Sequence, residues 1–128
     1  MEACPDGWYL PSDEEWKKLE LHIGLSPSEV DKYNFRGTDE GQKLKSTTGW
    51  ALNGNGNNET LFTALPGGMF YEINGIEYIF GDITAYGYWW SVYNPYSYPV
   101  RYLRYFDGSI ARIGYPAQNG ISVRCVKN

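Results

Sequence analysis

The sequence predicts an α+β domain in which helices near the amino terminus precede a set of antiparallel strands. Capped, amphipathic segments occur before residue 50, and short aromatic or β-branched runs separated by turn residues fill the chain from residue 61 onward. Helices and strands that are segregated along the chain are typical of α+β folds rather than of parallel sheets. The 128 residues suit one domain, and we expect residues 1–128 to form a single one.

Two short helices are predicted in the first part of the chain. Ser12 is a suitable N-cap, and Glu15 stands three residues later, which is the spacing of a capping box. An apolar face at helical spacing follows, and Gly24 ends this first helix. The stretch SPSE repeats the cap and places Pro27 at the first position of a second helix. The stretch DEGQKLKS predicts one further helical turn.

Strands are predicted wherever aromatic and β-branched residues run between turn signals. Asn74–Gly75 is a two-residue hairpin signal, and Asp107–Gly108 is another. Such turns join neighbouring antiparallel strands. The predicted strands cover residues 8–11, 61–65, 68–73, 76–80, 86–93, 100–106, 109–115 and 121–126.

The charge of the chain is unevenly distributed. The net charge is −4, but residues 1–82 carry 14 acids and 6 bases, whereas residues 83–128 carry 1 acid and 5 bases. Four arginines and one lysine form a sparser basic set than nucleic-acid binding needs, so we expect no nucleic-acid partner. No run of about 18 apolar residues is present, so we expect no direct membrane insertion.

Few residues could carry catalysis. His22 is the one histidine, and it lies on the first predicted helix with no partner nearby in sequence. The acidic pairs Glu14–Glu15 and Asp39–Glu40 occur in helix-forming stretches, where a solvated face explains them. We therefore predict that the domain is not an enzyme and needs no cofactor.

The two cysteines, Cys4 and Cys125, lie near the two ends of the chain. Zinc sites need closely spaced ligand pairs, so this spacing fits no metal motif. The cysteines are either unpaired buried thiols or a disulfide that joins the termini. We favour the disulfide, which is typical of oxidising compartments.

The segment from Tyr93 to Tyr115 is the candidate binding region. Eight of the twelve tyrosines of the chain lie between Tyr86 and Tyr115. Tyrosine with serine, glycine and arginine is typical of antibody-like binding surfaces, and aromatic rings also stack on sugars. Aromatic cross-strand pairing within a sheet is the alternative explanation. The predicted ligand-binding residues are Tyr93, Tyr96, Tyr98, Arg101, Tyr102, Arg104, Arg112 and Tyr115.

Alternation along the strand sets a limit on this prediction. Arg101 and Leu103 share one side of a regular strand, and Tyr102 and Arg104 share the other. We expect Leu103 to face the core, so that Tyr102 and Arg104 face outward. Arg101 then needs a strand end or a bulge to join the exposed face.

Five motifs in order resemble one family over nearly the whole chain. CPDGWYLPSDEEWKKLE, FRGTDEGQKLKSTTGW, NETLFTALPGGMFY, YGYWWS and ISVRCVKN are similar to the Fibrobacter succinogenes major paralogous domain, which is also common in gut Bacteroidetes. The resemblance implies a C-type-lectin-like fold: two N-terminal helices packed on antiparallel sheets, with the termini paired. Paired termini bring Cys4 next to Cys125. The family also resembles variable proteins that retroelements diversify.

The resemblance implies a secreted or surface-displayed bacterial protein. Calcium-dependent lectins of this fold carry Glu-Pro-Asn or Gln-Pro-Asp followed by Trp-Asn-Asp, and this chain has neither, so we expect no metal. The predicted function is non-catalytic recognition of a protein or carbohydrate ligand through the tyrosine- and arginine-rich region. The alternative is a structural or interaction module of a larger surface protein without a ligand site of its own.

Overall fold

The fold is α+β, as the order of elements predicts. A computed structural model describes residues 3–92 and 98–128. In this part of the chain the helices are α1 (Asp13–His22) and α2 (Glu40–Leu44). The strands are β1 (Trp8–Tyr9), β2 (Asn34–Arg36), β3 (Met69–Ile73), β4 (Glu77–Gly81), β5 (Tyr86–Trp90), β6 (Tyr98–Arg104), β7 (Ile110–Tyr115) and β8 (Val126–Lys127).

The strands form three antiparallel groups within the described residues. Four strands form the main sheet in the order β2–β7–β6–β5, in which Tyr102 of β6 lies between Tyr88 and Ala111. The hairpin β3–β4 is a separate two-stranded sheet, and β1 pairs with β8. The two terminal strands are therefore neighbours, as the family resemblance implies.

Each side of the main sheet faces its own apolar cluster. On one side, Trp16 of α1 lies in a buried cluster with Trp89 and Leu103. On the other side, Val100 and Tyr88 pack with Met69 of the hairpin. Neighbouring side chains of a strand point to opposite faces, so the main sheet separates the α1 side from the hairpin side.

The cap of α1 agrees with its prediction. The Glu15 amide donates to the Ser12 hydroxyl at 3.2 Å, and the Ser12 amide donates to the Glu15 carboxylate at 2.9 Å. This reciprocal pair is the predicted capping box. It satisfies amide groups that the first turn of a helix leaves without intrahelical partners.

The predicted second helix is wrong. Residues 27–31 form hydrogen-bonded turns instead, with the Glu29 amide donating to the Ser26 carbonyl at 2.9 Å. Asn34 then has a φ of 67° and redirects the chain into β2, a strand that the sequence did not predict. The DEGQKLKS segment does form a helix, α2.

The predicted strand over residues 61–65 is also wrong. Leu61 and Thr63 have φ values of 58° and 55°, which interrupt an extended backbone, so only Ala64 forms a bridge, to Lys45. Residues 121–126 were predicted as one strand, but the ladder there is limited to a bridge at Ser122 and the start of β8.

Both predicted hairpins are present. Asn74 and Gly75 have φ values of 57° and 73°, the left-handed conformations of a tight hairpin turn. The connection is one residue longer than predicted, because Ile73 pairs with Glu77 and Ile76 also lies between the strands. Asp107 and Gly108 lie in the connection between the paired strands β6 and β7.

A disulfide joins Cys4 to Cys125, whose Cα atoms are 5.8 Å apart. The predicted pairing of the cysteines is therefore confirmed. The disulfide joins the two ends of the chain beside the β1–β8 pair. Within residues 3–92 and 98–128, neither helix combines the length and the apolar composition that crossing a membrane requires.

Candidate recognition surface

The structure divides the predicted ligand-binding residues between the two sides of the main sheet. Tyr98, Tyr102 and Arg104 alternate with Arg101 along β6, so these three lie on the hairpin side and Arg101 lies on the α1 side. Tyr115 of β7 is the cross-strand partner of Tyr98 and shares its side. Predicted residues Tyr93 and Tyr96 lie outside the described residues.

The hairpin side carries a continuous set of tyrosine rings. Tyr88 is the centre of this set, with ring centroids 6.0 Å from Tyr86, 5.3 Å from Tyr102 and 6.1 Å from Tyr115. Tyr98 is the cross-strand partner of Tyr115, its ring centroid lies 6.0 Å from that of Trp90, and it is 38% exposed. The name tyrosine face is used here for Tyr86, Tyr88, Tyr98, Tyr102 and Tyr115.

Arg104 lies at one end of this face but is engaged with its neighbours. Its guanidinium carbon lies 3.4 Å from the ring centroid of Phe35 and 4.4 Å from that of Phe106. It also forms an ion pair with Asp107. A guanidinium stacked between two rings and paired with a carboxylate has few donors left for a ligand.

The expectation that Arg101 and Arg112 lie on an exposed face is wrong. Arg101 is 0% exposed and Arg112 is 6% exposed, and both point to the α1 side of the sheet. Arg101 needs no bulge, because carboxylates of α1 meet its guanidinium inside the protein. Its Nε donates to Glu20 at 2.6 Å, and its Nη1 donates to Asp13 at 2.7 Å.

Five charged side chains form a buried network between α1 and the sheet. Glu20 is the centre of this network, because it also accepts two hydrogen bonds from Arg36, at 2.7 and 3.0 Å. Arg112 donates to Asp13 through Nε at 3.0 Å and through Nη2 at 2.6 Å. The two carboxylates of α1 therefore bind three arginines, of which one comes from β2, one from β6 and one from β7.

The network lowers the pKa of Asp13. Burial opposes its ionisation, but hydrogen bonds from Arg112 and Arg101 outweigh burial and hold the pKa of Asp13 well below its usual range. The folded protein therefore keeps Asp13 ionised at a pH where the unfolded chain protonates it.

We expect stability to fall as the pH drops from about 5 to about 2. A carboxyl with a lowered pKa in the folded state stabilises above its unfolded pKa, and this contribution, about 2 kcal/mol, is lost on protonation. Unfolding by urea across this pH range measures it. At pH 7, Asp13→Asn should have a lower free energy of unfolding than wild type. On acidification, this free energy should fall less in Asp13→Asn than in wild type or in the exposed control Asp6→Asn. Parallel pH curves for all three proteins would contradict this assignment.

One end of the tyrosine face forms a pocket with a volume of about 430 Å³. Three tyrosines line it: Tyr71 from β3, Tyr88 from β5 and Tyr115 from β7. The name tyrosine pocket is used here for this cavity. Its lining residues are Met69, Tyr71, Glu72, Gly75, Asp82, Tyr88, Tyr115, Pro116, Gln118 and Asn119.

The polar groups of the tyrosine pocket come from loops and strand ends. Asp82 precedes β5 and accepts a hydrogen bond from the Tyr88 hydroxyl at 3.0 Å. Glu72 belongs to β3, while Gln118 and Asn119 follow β7. Among the pocket residues, only Tyr115 was predicted. The others come from three segments, residues 69–75, 82–88 and 116–119, and no local motif indicates that these segments meet.

Two further surface features lie outside the tyrosine face. An apolar pocket of about 320 Å³ lies beside α1, where Trp16, Leu19 and Phe62 contribute to its lining. The outer face of the β3–β4 hairpin exposes Tyr78 and Phe80, which are 50% and 58% exposed.

Within the described ranges, no three His, Cys, Asp or Glu side chains are grouped as a metal site requires.

A family model described as Fibrobacter succinogenes major domain matches residues 1–127. The chain belongs to this family. The match includes the tyrosine face and all of the tyrosine pocket, so in this Fibrobacter succinogenes major domain both features lie within the family region. No curated protein and no solved structure matches the chain significantly.

Proposed function

We propose that this Fibrobacter succinogenes major domain is a non-catalytic recognition module that binds its ligand on the tyrosine face, with the tyrosine pocket as the centre of the site. One observation carries the proposal. Tyr71, Tyr88 and Tyr115 come from three different strands and line one cavity together with carboxylate and amide side chains. Ligand pockets typically combine apolar or aromatic walls with a few convergent polar groups.

The chemistry of these residues suits recognition of a partly polar ligand. Tyrosine offers a rigid ring with a hydroxyl and loses little conformational entropy on binding. The amides of Gln118 and Asn119 each supply donors and an acceptor at the edge of the pocket. A carbohydrate or a polypeptide segment presents surfaces that such groups bind.

We also propose that the fold is C-type-lectin-like and that the domain acts outside the cytoplasm, in a secreted or surface protein. The pairing of β1 with β8 and the Cys4–Cys125 disulfide support both parts of this proposal. Disulfides persist in oxidising compartments, which include the extracellular space and the bacterial periplasm.

A screen of the purified domain on glycan and protein arrays identifies the ligand, and two variants then test the site. We expect Tyr115→Leu and Gln118→Ala each to weaken binding of that ligand, by about tenfold for the tyrosine ring. Tyr78→Ala, on the outer hairpin face, is the matched control and should leave binding unchanged. Circular dichroism verifies that all three variants are folded. Unchanged binding by both pocket variants would place the site elsewhere.

An interaction module without a ligand pocket is the second candidate. The outer face of the hairpin favours it, because Phe70 and Tyr78 stack there at a centroid distance of 5.2 Å and Phe80 is exposed beside them. Exposed apolar patches of this kind occur at protein interfaces. If Tyr78→Ala abolishes binding and the pocket variants do not, this second candidate is the correct one.

A further inference from the structure

The tyrosine pocket has an unbalanced charge. Asp82 supplies a carboxylate, and no lysine, arginine or histidine lines the pocket. Glu72 also contributes to the lining, but it is the cross-strand partner of Tyr78, so its side chain belongs to the outer face of the hairpin. Among the described residues, Oδ2 of Asp82 accepts from the Tyr88 hydroxyl, and Oδ1 has no hydrogen-bond partner. The negative charge of Asp82 therefore acts on whatever enters the pocket.

The negative charge of Asp82 affects the pKa values of two tyrosines in the pocket. Burial raises the pKa of Tyr115, and the negative charge of Asp82 raises it further. The pKa of Tyr88 is raised by the same two causes, and its hydroxyl also donates to Asp82. Both phenols stay neutral at physiological pH, so the attraction that they offer a cation comes from the faces of their rings and not from a phenolate charge.

The rings are close enough to act on one group. Tyr88 and Tyr115 have centroids 6.1 Å apart and planes tilted by 54°, and Tyr71 is a third ring of the same lining. A cation bound within about 6 Å of several tyrosine rings gains attraction from each. The lining holds only two carboxylates, whereas calcium prefers six to eight oxygen ligands. The cation that fits these walls is organic.

We propose that the tyrosine pocket selects an organic ammonium group, carried by a small amine or by a lysine side chain of a polypeptide. This inference rests on the proposed function, because it names the chemical class of ligand for the same site. The rings contact the alkyl part of the ammonium group, and Asp82 neutralises its charge. Anionic ligands are excluded by the same carboxylate.

Nuclear magnetic resonance titration of the full chain tests the inference with matched probes. Choline is compared with 3,3-dimethyl-1-butanol, which has the same shape without the charge. Nα-acetyl-lysine methylamide is compared with its Nε-acetyl form in the same way. We expect both cations to shift the amide signals of Gly75, Tyr115 and Asn119 in a saturable manner, about fivefold more tightly than their neutral partners. The probe that binds more tightly distinguishes a small amine from a lysine side chain.

Asp82→Asn is the decisive variant. The asparagine side chain keeps an oxygen that accepts from the Tyr88 hydroxyl, and asparagine tolerates the left-handed backbone at this position, where φ is 62°. We expect this change to weaken choline binding about fivefold or more. Glu59→Gln removes an exposed carboxylate outside the pocket and should have no effect.

Three results would overturn the inference, and the first is unchanged choline binding by Asp82→Asn. If these amide signals give equal affinities for the charged and the neutral probes, the pocket is a binding site but does not select for charge. Absence of any shift with either cation would reject the ammonium ligand, while the array screen with Tyr115→Leu still decides the proposed function separately.

Discussion

Replacing Glu20 with glutamine will lower the free energy of unfolding by about 3–5 kcal/mol, because it leaves two buried guanidinium groups without their shared carboxylate. Glu20 is 0% exposed and accepts hydrogen bonds from both Arg36 and Arg101. Glutamine preserves the shape of the side chain, so the loss reports charge rather than packing. Chemical denaturation measures it as a lower midpoint at a similar slope.

Glu14→Gln is the matched control on the same helix. The Glu14 side chain is 74% exposed and pairs with Lys17 at the surface, so its replacement should change stability by less than about 1 kcal/mol. Combining Glu20→Gln with Arg36→Gln should then cost less than the sum of the two single changes, because the double variant leaves one fewer unpaired charge. Equal, small losses for Glu14→Gln and Glu20→Gln would show that the buried network does not stabilise the fold.

Removing the disulfide is expected to have an effect of similar size. The bond joins residues 121 positions apart, so its loss releases nearly the whole unfolded chain. The chain-entropy model gives about 5 kcal/mol for such a loop, and measured losses for native disulfides of small domains are about 2–5 kcal/mol. Denaturation of the double variant Cys4→Ala, Cys125→Ala tests this expectation.

The dependence on denaturant offers a second readout. Without the cross-link the unfolded chain exposes more surface, so the slope of the unfolding free energy should rise as the midpoint falls. A reducing agent should destabilise the wild type by a comparable amount and leave the cysteine-free variant unchanged. A loss below about 1 kcal/mol would mean that the β1–β8 pair holds the termini without the bond.

Local signals in the sequence were sufficient for several elements. Ser12 and Glu15 specify the start of α1, and Asn74–Gly75 specify the β3–β4 turn, because each signal acts over only a few residues. Local signals failed where the backbone depends on distant contacts. The segment after Pro27 has a good helix start, yet it forms turns, and its Val30 carbonyl accepts a hydrogen bond from Arg36 at 2.8 Å.

The fold class, the family motifs and the alternation of side chains along β6 all follow from local features of the sequence. Alternation shows that Arg101 and Tyr102 lie on opposite sides of the strand, but not which side faces α1. That choice depends on Asp13 and Glu20, which stand 88 and 81 residues away from Arg101 in sequence and hold its guanidinium on the α1 side.

The candidate site likewise depends on the tertiary structure. Tyr71, Asp82 and Tyr115 belong to three separate segments, and only the packing of the hairpin against the main sheet brings them around one cavity. The sequence could indicate that tyrosines accumulate near its end, because composition is a local property. A pocket is a property of non-local contacts, so the tertiary structure alone decided which tyrosines line it and which carboxylates they meet.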